Sequence, residues 1–217
     1  NNKQRIVHAL YQQGYTYEAL GEERKAIKCF EDALNIDEEN IDVLNEIAYT
    51  HQLFSEYEKS IDYLDKVLKI DERNNRALDN IAFSYKNLKK YNMALEYLTK
   101  SIKLEERTGD PNFAANEMVD VYFLKDDDET KAMTMGQQLI KDEKANSRTC
   151  WAVGWCHVEK ENYDDAVNAL KESLRLEWNV EAVLELGVCY QNKKMIDVAI
   201  LYYEKGLAIK KLDRGIW

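Results

Sequence analysis

Ile41-Asp42-Val43-Leu44-Asn45-Glu46-Ile47-Ala48 and Asn75-Arg76-Ala77-Leu78-Asp79-Asn80-Ile81-Ala82 are two copies of one pattern, 34 residues apart. Small residues keep the same step at Gly14, Ala48 and Ala82, and again at Ala26, Ser60 and Ala94. Bulky apolar residues keep it at Phe30, Leu64 and Leu98, and a further set falls on Ala33, Val67 and Ser101. Segment ends rhyme as well: Leu34-Asn35-Ile36-Asp37-Glu38, Leu68-Lys69-Ile70-Asp71-Glu72 and Ile102-Lys103-Leu104-Glu105-Glu106. Independent positions sharing one period of this length mark a stacked repeat array.

Each period reads as two antiparallel helices. Leu10, Gly14 and Tyr17 fall at i, i+4 and i+7, the spacing of one helix face. Leu20 and a polar turn, Gly21 to Arg24, follow. A second helix then carries Ala26, Ile27, Phe30, Ala33 and Leu34. Small residues at Gly14 and Ala26 let the two helices cross closely, and Phe30 fills the space beside them. The whole chain, 1–217, reads as one array with units 7–40, 41–74, 75–108, 111–145, 147–179 and 180–213. The fourth is degenerate. Gly109-Asp110-Pro111 signals a helix start, with Asp as N-cap and Pro in the first turn. A helix is expected over Asn112 to Leu124, then an acidic turn from Lys125 to Glu129, then a helix carrying Ala132, Met133, Gly136, Leu139 and Ile140. Ala94 to Ala166 is 72 residues, two periods plus four, so a longer linker bends the regular stack there. Ala166 to Ala199 is 33, placing a one-residue deletion near Trp178-Asn179.

Bulk properties narrow the function. The 8 Gly and 1 Pro are too few for the turns of a sandwich or barrel, so the fold class is all-α. A net charge of −10 repels phosphate backbones and argues against nucleic acid. No apolar run approaches the roughly 20 residues that span a bilayer. Four cysteines without a CxxC pair read as reduced thiols of a cytoplasmic protein. No phosphate-binding glycine loop and no nucleophile motif is present, so neither an enzyme nor a cofactor is expected. Two metal-like groups fail on geometry. Cys150 and Cys156 lie about 240° apart around a helix, so they and His157 do not converge on one ion. Asp126-Asp127-Asp128-Glu129 lacks the glycine and the distal glutamate of a calcium loop. No metal is expected.

The spacing in the first three units, with small residues at position 8, Ala or Ser at 20 and an aromatic or Leu at 24, resembles the tetratricopeptide repeat. Units are numbered from Val7, Ile41 and Asn75. Glu38, Glu72 and Glu106 stand where the family usually has Pro, so helix ends there run on or turn differently. The resemblance implies a right-handed superhelical solenoid that binds another protein or a peptide in the concave groove lined by the first helix (A) of each pair. Inward positions hold Tyr11, Tyr15, Asn45, Tyr49, Asp79, Phe83, Trp151 and Trp155. Arg76, Asn80 and Arg148 would add polar selectivity, and the aromatic residues would act as anchors. Some members clamp the acidic C-termini of heat-shock chaperones through lysine and asparagine at fixed positions. Here those positions carry Tyr11, Tyr15, Glu46, Arg76 and Asn80, so that clamp is not expected. His51 and His157 fall on position 11 and read as packed residues. The rival expectations are a homodimer formed through the C-terminal repeat, and a regulatory arm of a larger enzyme or signalling protein.

Overall fold

The computed structural model describes residues 2–108, 112–125 and 128–213, without the side chains of 105–108 and 209–213. The helix start at Gly109-Asp110-Pro111, the first half of the acidic turn at Asp126-Asp127, and the last residues Arg214 to Trp217 lie outside the described residues. The rest forms twelve helices and, among the described residues, no strand.

The helices pair in chain order. They are α1 (Asn2–Ala19) with α2 (Glu23–Leu34), α3 (Ile41–Leu53) with α4 (Tyr57–Ile70), and α5 (Asn75–Asn87) with α6 (Tyr91–Thr108). Then come α7 (Asn112–Leu124) and α8 (Glu129–Lys141), α9 (Ser147–Glu159) with α10 (Tyr163–Leu176), and α11 (Val180–Asn192) with α12 (Ile196–Asp213). The chain divides into two compact units, Asn1–Ala114 and Ala115–Trp217.

In the first unit each pair packs internally, α2 packs on α3, and α4 packs on α5. One core cluster joins Val7, Phe30 and Ile47, and the next joins Ala48, Leu64 and Ile81, so apolar contact runs from repeat to repeat. Helices α3 and α5 also touch directly. In the second unit α9 packs on α10, α10 on α11, and α11 on α12, with α9 also touching α11. Direct contact between successive A helices places them on the tighter side of each stack.

Close crossing depends on residue size at position 8. A Cβ added at Gly14 would sit 2.5 Å from Cε1 of Phe30, whose side chain is fully buried. Where Leu replaces the aromatic partner, as at Leu64, the facing residue is Ala48. The crossing thus takes Gly with an aromatic (Gly14/Phe30, Gly187/Tyr203), Ala with Leu (Ala48/Leu64) and, in the fifth repeat, Gly with Leu (Gly154/Leu170).

The helix ends also follow the period. At five A-to-B turns one residue takes a left-handed backbone: Gly21 (φ 71°), Ser55 (60°), Lys89 (57°), Glu161 (58°) and Lys194 (61°). Its N–H bonds three residues back, and the next N–H bonds five back, as in Glu56 to the His51 carbonyl at 2.8 Å and Lys90 to the Tyr85 carbonyl at 2.9 Å. This is a Schellman ending, which satisfies carbonyls left open at the helix terminus. Starts of A helices use asparagine. The Oδ1 atoms of Asn40, Asn74, Asn146 and Asn179 accept the N–H of Val43, Ala77, Thr149 and Ala182 at 2.7–3.2 Å. Asp37 and Asp71 in turn hold the side-chain amides of Asn40 and Asn74. Helices α2 and α4 therefore stop without the family's proline, whereas α6 continues to Thr108. The turn between α10 and α11 spans 177–179 against 71–74 between α4 and α5, which accounts for the 33-residue step.

Candidate interaction surface

The A-helix face of the first unit carries three aromatic side chains at one repeat position. Tyr15 is 56% exposed, Tyr49 41% and Phe83 40%. Residues 34 apart occupy equivalent places on stacked helices, so these three form rungs across α1, α3 and α5. Phe83 meets the ring of Tyr57 edge-on at 6.3 Å, and the Lys86 ammonium lies 5.5 Å from its centroid.

Beneath the rungs runs a polar network. The Tyr11 hydroxyl donates to Oε1 of Glu46 at 3.2 Å, and Nη2 of Arg76 donates to the same oxygen at 2.8 Å. One carboxylate on α3 thus ties α1 to α5. Burial, then the charge of Glu46, pushes the Tyr11 hydroxyl up to about 12. Because Arg76 is bound by Glu46, the cation that a chaperone-type clamp would need is already engaged. Asn45 lies under the face rather than on it: it is 2% exposed, its amide donates to the Ile41 carbonyl, and its Oδ1 has no partner among the described residues. Asp79 and Asn80 are half-buried on α5, and the Asn80 carbonyl accepts from Gln52 at 2.8 Å.

In the second unit Trp151 and Trp155 on α9 enclose Phe123 of α7, with centroids 5.2 and 5.1 Å away and both contacts edge-on. Arg148 lies 4.3 Å over the Trp151 ring and donates through Nε to Asp120 at 2.9 Å. The Trp151 indole N–H is buried without an acceptor among the described residues. Edge-on aromatic contacts and a stacked guanidinium hold these rings in fixed orientations.

Sequence reading passed over Phe123 and Glu18. Glu18 is the twelfth residue of its unit, an inward position by the repeat numbering, and Phe123 is the twelfth residue of α7, which is the signal that would have found them. Phe123 was hidden by the degeneracy of the fourth unit. Glu18 reads as an ordinary surface acid until its neighbours are known.

Metal-like geometry occurs in one place among the described residues. Glu23, His51 and Glu56 bring ligand atoms within 4.8 Å of one another. His51 Nδ1 is 2.7 Å from Glu56 Oε2, and Lys59 pairs with the same carboxylate at 2.8 Å, which holds the Glu56 carboxyl below its usual range. His51 also stacks on Tyr63 at 5.6 Å, so packing and its hydrogen bond with Glu56 already account for it. The four cysteines are free and buried. Burial pushes Cys150 up to about 12 and Cys156 and Cys189 up to about 11, far from a thiolate nucleophile at neutral pH. No helix among the described residues is long and apolar enough to cross a membrane.

Stacked helix pairs with an A-helix face of aromatic and polar side chains define a helical-repeat solenoid. The tetratricopeptide repeat family model matches residues 7–40, 41–74, 76–108 and 180–211, more than half of the chain. The chain belongs to the tetratricopeptide repeat family, whose members are protein–protein interaction scaffolds and typically not catalysts. No curated protein matches the chain by sequence. Among solved structures, the chain is similar to PilF of Pseudomonas aeruginosa (TM-score 0.80, 19% identity), covering 99% of this chain and 95% of that one. It is similar to PilW, described as a widely conserved type IV pilus biogenesis factor (TM-score 0.75, 15% identity, 94% and 93% covered). It is also similar to a chain of the Cut9–Hcn1 hetero-tetramer of the APC/C (TM-score 0.71, 20% identity, 96% of this chain and 43% of that one). At these identities the likeness establishes an all-α solenoid fold.

Proposed function

We propose that this protein is a non-catalytic scaffold that holds a peptide or protein segment along the A-helix faces. The observation that carries the reading is the exposed row Tyr15, Tyr49 and Phe83 at one repeat position. A rigid stack presents such anchors already ordered, so the receptor loses little entropy on binding. Tyr11, Asn45, Arg76, Asp79 and Asn80 supply polar groups around the row. Arg148, Trp151 and Trp155 form the corresponding cluster of the second unit. A net charge of −10 favours a protein partner over a nucleic acid, and four unpaired buried thiols agree with a reducing cytoplasm. Affinity capture from the source lysate tests the reading. A partner held by the native chain and lost on Tyr15→Ala with Tyr49→Ala, at unchanged circular dichroism, supports the face. Equal capture by both rejects it for the first unit.

A second reading rests on α12, where Ile196, Ile200, Leu201 and Leu207 are all exposed. Apolar side chains gathered on one helix suit self-association through the last repeat. Sedimentation at several concentrations tests this, since a chain that stays monomeric throughout rejects the homodimer.

A further inference from the structure

Glu18 lies one helical turn beyond Tyr15 on α1. Its Oε1 accepts the hydroxyl of Thr50 at 2.8 Å, and Thr50 follows Tyr49 on α3. The carboxylate is therefore held where α1 meets α3, three residues on from the exposed Tyr15 and bonded to the residue that follows the exposed Tyr49. Burial raises its pKa above the usual range, the Thr50 hydrogen bond opposes that, and the nearby Glu46 carboxylate raises it further. Glu46 is engaged by Arg76 and Tyr11, whereas among the described residues no lysine or arginine pairs with Glu18. The folded chain on its own thus holds Glu18 charged at a cost.

The third rung shows what such a position can do. Lys86 occupies on α5 the repeat place that Glu18 occupies on α1, and it lays its ammonium over the Phe83 ring. There the chain supplies its own cation to the aromatic rung. At the first rung the same place offers an anion and two rings. Aromatic faces attract cations, and a carboxylate makes a charge-assisted hydrogen bond to an ammonium or guanidinium.

We propose that the α1–α3 part of this face docks a lysine- or arginine-bearing segment of a partner protein, its cation seated on Glu18 beside Tyr15 and Tyr49. This rests on the scaffold reading above and narrows it to a basic segment. The acidic balance of the chain steers such a partner toward it over longer range.

An end-blocked, fluorescein-labelled hexalysine peptide is the probe, read by fluorescence anisotropy near physiological salt. Glu18→Gln keeps an acceptor for Thr50 and removes the charge. Glu31→Gln on the exposed side of α2 removes one charge elsewhere and serves as control. The expected result is binding weakened about tenfold by Glu18→Gln, equivalent to about 1.4 kcal/mol, and by less than about twofold by the control. Equal weakening by both variants, or no binding to the native chain, overturns the proposal. The captured partner separates the two levels of the reading. Loss of that partner on Tyr15→Ala with Tyr49→Ala but not on Glu18→Gln overturns the basic-segment inference and leaves the face standing. Retention on the tyrosine variant overturns the face itself.

Discussion

Replacing Gly14 with alanine tests the size rule at the helix crossing. The new Cβ would lie 2.5 Å from Cε1 of Phe30 and 2.8 Å from Cδ1 and Cζ. Carbon atoms prefer about 3.5–4.0 Å, so the ring, which is fully buried, must retreat by roughly 1 Å into its packed neighbours. Overpacking of this kind costs about 1–3 kcal/mol. Alanine returns about 0.5–1 kcal/mol of helix propensity, leaving a net loss of about 1 kcal/mol. Phe30→Leu alone leaves a void beside Gly14 and costs about 1–2 kcal/mol. The double variant Gly14→Ala, Phe30→Leu recreates the pairing of Ala48 with Leu64, so its loss should fall below the sum of the single losses by about 1 kcal/mol. Urea unfolding followed by far-ultraviolet circular dichroism is the assay. Tryptophan emission does not report on this crossing directly, because Trp151, Trp155 and Trp178 lie in the second unit. Additivity within about 0.3–0.5 kcal/mol would refute the claim that size is traded across this crossing.

Three further predictions follow from the helix ends and from Glu18. Lys89→Gly and Ser55→Gly, at left-handed turn positions, should each stabilise by about 0.5–1 kcal/mol, since side chains there are disfavoured and glycine is not; a lower urea midpoint would count against the turn assignment. Asn74→Ala removes the Oδ1 that caps α5 and should cost about 1 kcal/mol, with Asn74→Asp largely restoring stability. Glu18→Gln should stabilise the fold at neutral pH. The folded pKa of Glu18 is raised, so its charged form penalises folding above that pKa. The penalty disappears as pH falls below the unfolded value. The gain from Glu18→Gln must therefore shrink on acidification, and a gain independent of pH would show that the charge is not its source.

The helices were legible because period and helix pitch reinforce each other: small residues at Gly14, Ala48 and Ala82 cannot keep a 34-residue step without fixing the helices around them. Even the span of α7, Asn112–Leu124, followed from the local pattern. The means of stopping were less legible. Ser55, Lys89, Glu161 and Lys194 carry no side-chain preference for a left-handed backbone, so their turns come from the bonding of the preceding helix. The asparagine caps were visible in principle at Asn40 and Asn74, yet asparagine is common enough to pass unnoticed. Of the candidate site, the aromatic row at Tyr15, Tyr49 and Phe83 was readable from spacing. The placement of Arg76 on Glu46, and of Arg148 against Asp120, was not. A partner 28 or 30 residues away is chosen by stacking, which spacing within one helix does not report.

The Glu46 carboxylate has a consequence for how the first unit comes apart. In a linear array each repeat touches only its neighbours, so the terminal repeat can fray while the others stay folded. Tyr11 belongs to the first repeat, Glu46 to the second and Arg76 to the third, and two hydrogen bonds meet on one oxygen. Fraying of α1 strips Glu46 of one donor and leaves Arg76 to satisfy it alone. The first repeat is thereby coupled to the third through the second, by two nearest-neighbour bonds that share one oxygen of Glu46. Losing one bond changes how well the shared oxygen is satisfied, which adds a cooperative contribution to the stacking of the three repeats that carry Tyr15, Tyr49 and Phe83.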